Sequence, residues 1–323
     1  MDLKQLECFV RVVEFGSITR AAVTLNLSQP VVSRHVRQLE IELKEHLLDR
    51  NGRGVVPTEA GKRLLERVKG ILHQVELAKQ EIADQRSSPS GKIVVGMPPT
   101  VGKVMTVPLA SAFKAKFPRA SLGVVEGLTM SMQEWLLLGR LDCALLYNPS
   151  PNQQVSYQHI WSEALCLIGK TGANGKPMPA EVPLREMANY PLIIPGQPNA
   201  LRNLLEVECA RRDIALNISL EIDGIESLLD LVERGMGYAV LSKNAIAGRQ
   251  RHGLSASKIV DPMVEARLFI ATSNQRPLTR LAQSTMEWLL AEIKKGSLGS
   301  GFEPIQGSGA KGAAAAVEES ASP

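Results

Sequence analysis

With 323 residues, 44% of them hydrophobic, the chain is long enough for two or three domains of ordinary soluble composition. Its formal net charge of +4 permits a nucleic-acid partner without demanding one, so what matters is where the charges fall. No apolar run approaches the roughly 18 residues of a membrane span, and Met1–Val10 lacks the apolar stretch of an export signal, so the cytoplasm is the expected location. The cysteines Cys8, Cys143, Cys166 and Cys209 are scattered, without a CxxC pair, which argues against a disulfide scaffold or a zinc site.

Residues 1–58 read as short helices joined by tight turns. Leu3, Leu6, Val10 and Val13 recur at helical spacing, Gly16 stops that helix, and Ser17 caps a second that buries Ile18, Ala21, Ala22 and Leu25. After the turn at Asn26-Leu27, Ser28 is the expected cap of a third helix over residues 29–43, with Pro30 in its first turn. Val32, Val36, Leu39 and Leu43 form its core-facing stripe. Gln29, Pro30, Ser33, Arg34 and Arg37 form another face, and between Arg11 and Glu40 the only acid is Glu14. A face of Arg, Ser and Gln suits the major groove, where Arg pairs with guanine and Gln with adenine. The helix start adds its positive dipole end to a phosphate. Asn51-Gly52 then signals a hairpin with Val55-Val56 as its returning strand. Such a hairpin is a wing, and it would carry Arg50 and Arg53 to phosphate or the minor groove.

The stretches AAVTLNLSQPVVSRHVRQLE and LLDRNGRGVVPTEAG resemble the LysR-type transcriptional regulators, densely over about the first 60 residues. The resemblance implies that Gln29, Pro30, Ser33, Arg34 and Arg53 face double-stranded DNA; Arg37 and Arg50 are added from the helical face and the hairpin. It also implies a homodimer, paired into a tetramer, and it allows RNA polymerase as a further partner.

Residues 59–86 form one uninterrupted helical pattern opened by Thr58. Leu64, Val68, Ile71, Val75, Ala78 and Ile82 repeat at 4, 3, 4, 3, 4, a heptad seam over about three heptads. A second copy of the chain is the simplest partner for it, which would place two recognition helices on an inverted-repeat site. Residues 87–91 (Ser-Ser-Pro-Ser-Gly) read as a hinge.

From residue 92 to 295, apolar runs alternate with helical stretches, as in an α/β domain on a parallel sheet. Strands are expected at Lys92–Met97, Leu122–Val125, Leu141–Tyr147, Leu165–Ile168, Leu192–Ile194, Ile218–Ile222, Tyr238–Leu241 and Arg267–Thr272. Two lobes, about 92–162 with 268–295 and about 163–267, would enclose a cleft, and the resemblance implies the type-2 periplasmic-binding-protein architecture. Ligands of such sheets bind beyond the strand ends at helix starts, which here places the loops of Thr100, Thr129, Asn148, Asn199 and Gly224 around a small-molecule effector, and the resemblance implies that Thr100 and Thr129 contact it. Lys103 and Arg202 are the nearest basic groups and suggest an anionic metabolite. The runs MPPTVGKVMTVPL and GRLDCALLYNPS are similar to the branch of the family around nitrogen-assimilation regulators. The tail at 296–323, rich in Gly, Ala and Ser, has too few large apolar groups to order itself.

Catalytic signatures do not fit. The GxxxxGK[ST] pattern fails at Gly61-Lys62-Arg63, Pro57 interrupts the GxGxxG begun by Gly52 and Gly54, and no GxSxG occurs. His35, His46, His73, His159 and His252 show no metal-ligand spacing, so no enzyme, metal or cofactor is expected.

Overall fold

The structure, a computed structural model, describes residues 1–51, 54–83, 89–171, 178–247 and 253–296. The expectations for Arg53, for Ser87 and Ser88 of the hinge, for His252 and for the tail beyond Gly296 lie outside the described residues, as do the side chains of Arg50 and Ile82.

The head is built from α1 (Leu3–Phe15), α2 (Ile18–Thr24), α3 (Gln29–Leu43) and the hairpin β1 (Leu48–Asn51) and β2 (Gly54–Pro57). Asp2 and Gln5 close a reciprocal capping box on α1, at 2.8 and 3.0 Å. Gly16 ends that helix at φ +58, a left-handed conformation that costs glycine least. Phe9, Val12, Ala21, Val32, Leu39 and Leu47 are buried together. Two expectations fail here. Leu43 is 37% exposed, because the last turn of α3 runs past the edge of the head. Ser28 has the N-cap backbone conformation but makes no capping bond, so its hydroxyl leaves the start of α3 open.

Thr58 caps α4 (Glu59–Ala83) by accepting from the Gly61 amide at 3.0 Å, while its own hydroxyl donates to the His46 carbonyl at 2.7 Å. With 25 residues, α4 is roughly 37 Å long. The heptad seam needs correction. Val68 is fully buried in the head's own core, where Leu64 also packs, so Val68 offers nothing to a second chain. The seam is open only from the next turn, with Ile71 41% exposed, Val75 half-buried and Ala78 exposed. The opposite side of α4 is covered by the C-terminal domain.

That domain contains β3 (Gly91–Met97), α5 (Pro99–Lys116), β4 (Ala120–Glu126), α6 (Thr129–Leu137), β5 (Cys143–Tyr147), β6 (Val155–Lys170), β7 (Glu181–Pro183), β8 (Leu192–Ile194), α7 (Ala200–Ala210), β9 (Ile218–Glu221), α8 (Ile225–Glu233), β10 (Ala239–Ser242), β11 (Leu254–Val260), β12 (Glu265–Ser273) and α9 (Arg280–Lys295). β3 pairs in parallel with β4 and β5, as the βαβαβ order requires. The sheet is nevertheless mixed, because β12 runs antiparallel to both β5 and β6. The largest departure from expectation is β6, which is 16 residues long. Its first part pairs with β12 up to Ala164, and from Leu165 onward it pairs with β10 and β11. One strand therefore belongs to both lobes. No helix among the described residues is long and apolar enough to cross a membrane.

α4 meets the wing through a close backbone approach: a Cβ on Gly61 would overlap the Leu47 carbonyl. Alanine favours helix by about 1 kcal/mol over glycine, yet overpacking of this kind costs about 1–3 kcal/mol. Gly61→Ala should therefore lower the urea midpoint of the head or leave it unchanged, whereas an open helical position would gain stability.

Candidate DNA interface and effector cleft

The outer face of α3 gathers the residues nominated for DNA. Gln29, Pro30, Arg34 and Arg37 are exposed, Ser33 is half-buried, and the first turn of the helix holds no acid. Val32, Val36 and Leu39 anchor the opposite face in the core, which fixes the rotation of the helix. The wing is held beside it by a residue that sequence reading passed over. The carboxylate of Glu40, on α3 itself, accepts from the backbone N–H of Leu47 at 2.9 Å and of Leu48 at 3.3 Å. Two charge-assisted bonds thus set the start of the hairpin relative to the recognition helix. The far strand is tied to the head by Val55 N–H donating to the Gly16 carbonyl at 3.0 Å. Gly54, at φ +136, allows this approach, since a Cβ there would lie 2.6 Å from the same oxygen. Asn51 pairs with Gly54 at the end of the hairpin ladder.

The second site lies between the lobes. Pro98, Thr100, Gly127, Thr129, Tyr147, Asn199, Asp223 and Leu241 are among the residues lining a cleft of about 60 Å³. Thr100 and Thr129 start α5 and α6 and are buried, 4% and 9% exposed. Neither of these helices has a side-chain cap at its N-terminus. Asn199 lines the cleft but accepts from the N–H groups of Leu201 and Arg202, capping α7. Gly224 stands at the mouth, at the start of α8. Asn148 does not line the cleft. Its side chain accepts from Arg267 N–H at 2.7 Å and its backbone N–H donates to the Arg267 carbonyl, so it serves the β5–β12 pairing. The two basic groups are also engaged. Lys103 donates to Glu226 at 3.2 Å and to the Ala245 carbonyl at 3.1 Å. Arg202 is held by Glu206, Glu221 and the Pro195 carbonyl.

A buried polar clasp, not foreseen from the sequence, closes the floor. Tyr147 of the first lobe donates its hydroxyl to Glu163 on the shared strand β6, and Asn244 of the second lobe donates to the other Glu163 oxygen at 3.1 Å. Thr129 completes it by donating to the Tyr147 carbonyl at 3.1 Å. Burial pushes the Glu163 carboxyl above its ordinary value, against the opposing pull of the Tyr147 hydrogen bond. Burial, and then the neighbouring Glu163, push the Tyr147 phenol up as well. All four thiols are buried and raised, Cys166 and Cys209 to about 11, so none is a ready thiolate nucleophile.

A winged helix-turn-helix carried with a two-lobed cleft domain defines a ligand-responsive DNA-binding regulator. Comparison with known proteins gives the family. Residues 3–62 match the bacterial regulatory helix-turn-helix protein, lysR family, and residues 86–294 match the LysR substrate binding domain. The nitrogen assimilation regulatory protein nac of Escherichia coli (strain K12) is 32% identical over 297 residues, 91% of this chain and 95% of that protein. Its counterpart in Klebsiella aerogenes is 32% identical over 302 residues, 92% of this chain and 97% of that protein. Among solved structures, the LysR family transcriptional regulator CbnR has a TM-score of 0.69 at 20% identity, covering 92% of this chain and 99% of that chain. Full-length CbnR complexed with its target DNA has a TM-score of 0.68 at 20% identity, covering 92% of this chain and 100% of that chain. The chain belongs to the LysR-type transcriptional regulators, DNA-binding proteins with an effector-binding domain, and it is not an enzyme.

Because burial raises the Glu163 pKa above 4.5, the folded protein holds that proton longer than the unfolded chain does. Stability linked to this group is full below the ordinary carboxylate range and declines as pH rises toward the raised value. Glu163→Gln keeps an acceptor for Tyr147, and an amide flip of Asn244 restores its match. Urea midpoints measured across about pH 4 to 8 should decline less steeply for this variant than for the natural chain.

Proposed function

We propose that this regulator binds an inverted-repeat promoter site in the cytoplasm as a dimer, two dimers forming a tetramer within reach of RNA polymerase. The cleft takes a small anionic metabolite that changes the contact with DNA. The observation that carries the DNA part is the exposed, acid-free Gln29–Arg37 face of α3 with a wing fixed beside it by Glu40. Gln29, Pro30, Ser33, Arg34 and Arg37 meet the major groove, and Arg50 and Arg53 meet phosphate or the minor groove. The exposed part of the α4 seam, Ile71, Val75 and Ala78, supports dimerisation.

For the effector, the support is the pair of uncapped helix starts at Thr100 and Thr129, with Asn199 and Gly224 at the rim. With Lys103 and Arg202 both engaged, an anion would be held by backbone N–H groups and hydroxyls. A ligand too large for this cleft would part the lobes about β6 and disturb the Tyr147–Glu163–Asn244 clasp. The nitrogen-assimilation role in the names of the 32% relatives makes nitrogen-source metabolites the first candidates to screen.

Footprinting upstream of the protein's own gene, with candidate metabolites added, should show protection over several helical turns that one metabolite changes. In gel shifts, Arg34→Ala should weaken the specific site by about 1–3 kcal/mol and relax base preference. Arg53→Ala should weaken all duplexes evenly and reduce the salt slope by about one. Full operator affinity in both variants would refute the assignment. Thr100→Val should abolish the metabolite's effect on the footprint while basal operator affinity stays unchanged.

A further inference from the structure

α4 presents two opposed faces. At about 100° per residue, Glu66, Gly70, His73 and Leu77 share a sector about 60° wide, and the open seam Ile71–Val75–Ala78 lies about 140° away. The first sector is docked on the turn that follows α6. Glu66 pairs with Arg140, and His73 Nε2 meets Asp142 Oδ1 at 3.1 Å, both side chains nearly buried. Gln74 donates to the Gly139 carbonyl at 3.4 Å. Gly70 is buried so closely that a Cβ there would overlap the Leu138 carbonyl. The turn itself is stiff. Arg276 donates to the carbonyls of Leu136 and Leu141 at 2.8 and 2.9 Å, and the other Asp142 oxygen accepts from Val94 N–H at 2.7 Å.

The opposite end of α6 is the effector cleft. Thr129 begins the helix there, and Met132 and Leu136 are fully buried along its length. Gly127, a cleft residue, lies against the Trp135 ring, and the Arg140 guanidinium stacks on that ring at 4.8 Å. A contiguous path of packed groups thus runs from Gly127 through Trp135 and Arg140 to Glu66 on the linker helix.

We propose that α6 and the turn after it are the strut that carries a change in the effector cleft to the linker helix, with the Glu66–Gly70–His73 face of α4 as the receiving surface. The proposal rests on the regulator reading above. Parting the lobes displaces the start of α6, and the stiff turn passes the displacement to α4. Because α4 holds the head at one end and the seam on its other side, the spacing of two recognition helices follows. The interface suits a switch. It is polar, with the Glu66–Arg140 ion pair, the His73–Asp142 hydrogen bond and a carbonyl contact, so undocking exposes groups that water satisfies.

The coupling is reciprocal, so DNA serves as the probe and no effector is needed. Hydrogen exchange across residues 127–142 is measured in full-length protein with and without a duplex identified by footprinting. In the natural chain, the duplex should change exchange in this segment by about five-fold or more, the low end of ordinary coupling. Gly70→Ala, which favours α4 as a helix but forces it off Leu138, should bind the duplex and lose that change. Glu66→Gln, at a partly exposed position that leaves the fold intact, should diminish it. An undiminished DNA-induced change in Gly70→Ala, or none in the natural chain, overturns the strut. A natural chain that retains no duplex in the gel shift instead overturns the regulator reading and removes the strut's basis with it.

Discussion

The arrangement depends on α4 bringing its backbone against two others. At Gly61 it meets the Leu47 carbonyl at the base of the wing, and at Gly70 it meets the Leu138 carbonyl of the effector domain. Any side chain at either place would hold the bodies apart. The two contacts lie nine residues apart on one rigid rod, so the position of the effector domain relative to the recognition helix is set by the helix itself. Packing then fills in around this spacing. Val68 seals the head core on one side, and His73 and Asp142 pair on the other.

The head and the cleft solve opposite problems. On α3, charge must stay exposed and unneutralised, so acids are absent from its first turn, and the first acid further along, Glu40, is turned back to hold the wing. In the cleft, polar groups must be buried without losing their partners. Tyr147, Glu163, Asn244 and Thr129 satisfy one another across the lobe boundary, and burial pushes the Glu163 carboxyl above its ordinary value. Such a network is stable while closed and sensitive to whatever enters beside it.

The local parts of this design were legible in the sequence. The third helix begins and ends where its apolar spacing and Pro30 indicated, and Thr58 caps α4. What was not legible depends on contacts distant in the chain. The heptad pattern named Val68 correctly as apolar, but spacing alone does not tell a partner chain from the head's own core. Asn148 sits at a strand end as expected, yet its side chain is occupied by Arg267, 119 positions away. Gly70, His73 and Asp142 carry no motif, and their pairing appears only when α6 folds against α4. The length of β6 was missed because its middle, Gln158-His159-Ile160-Trp161-Ser162-Glu163, lacks the continuous apolar run of a buried strand.

That same strand shapes the order in which the protein is assembled. His159 pairs with Phe269, about 110 positions later, so neither lobe has a complete sheet until almost the whole chain has left the ribosome. The head, by contrast, draws its core from the first 72 residues and can form while synthesis continues. The head can therefore be in place before the effector-binding domain closes, so the part that reads DNA is made ahead of the part that regulates it.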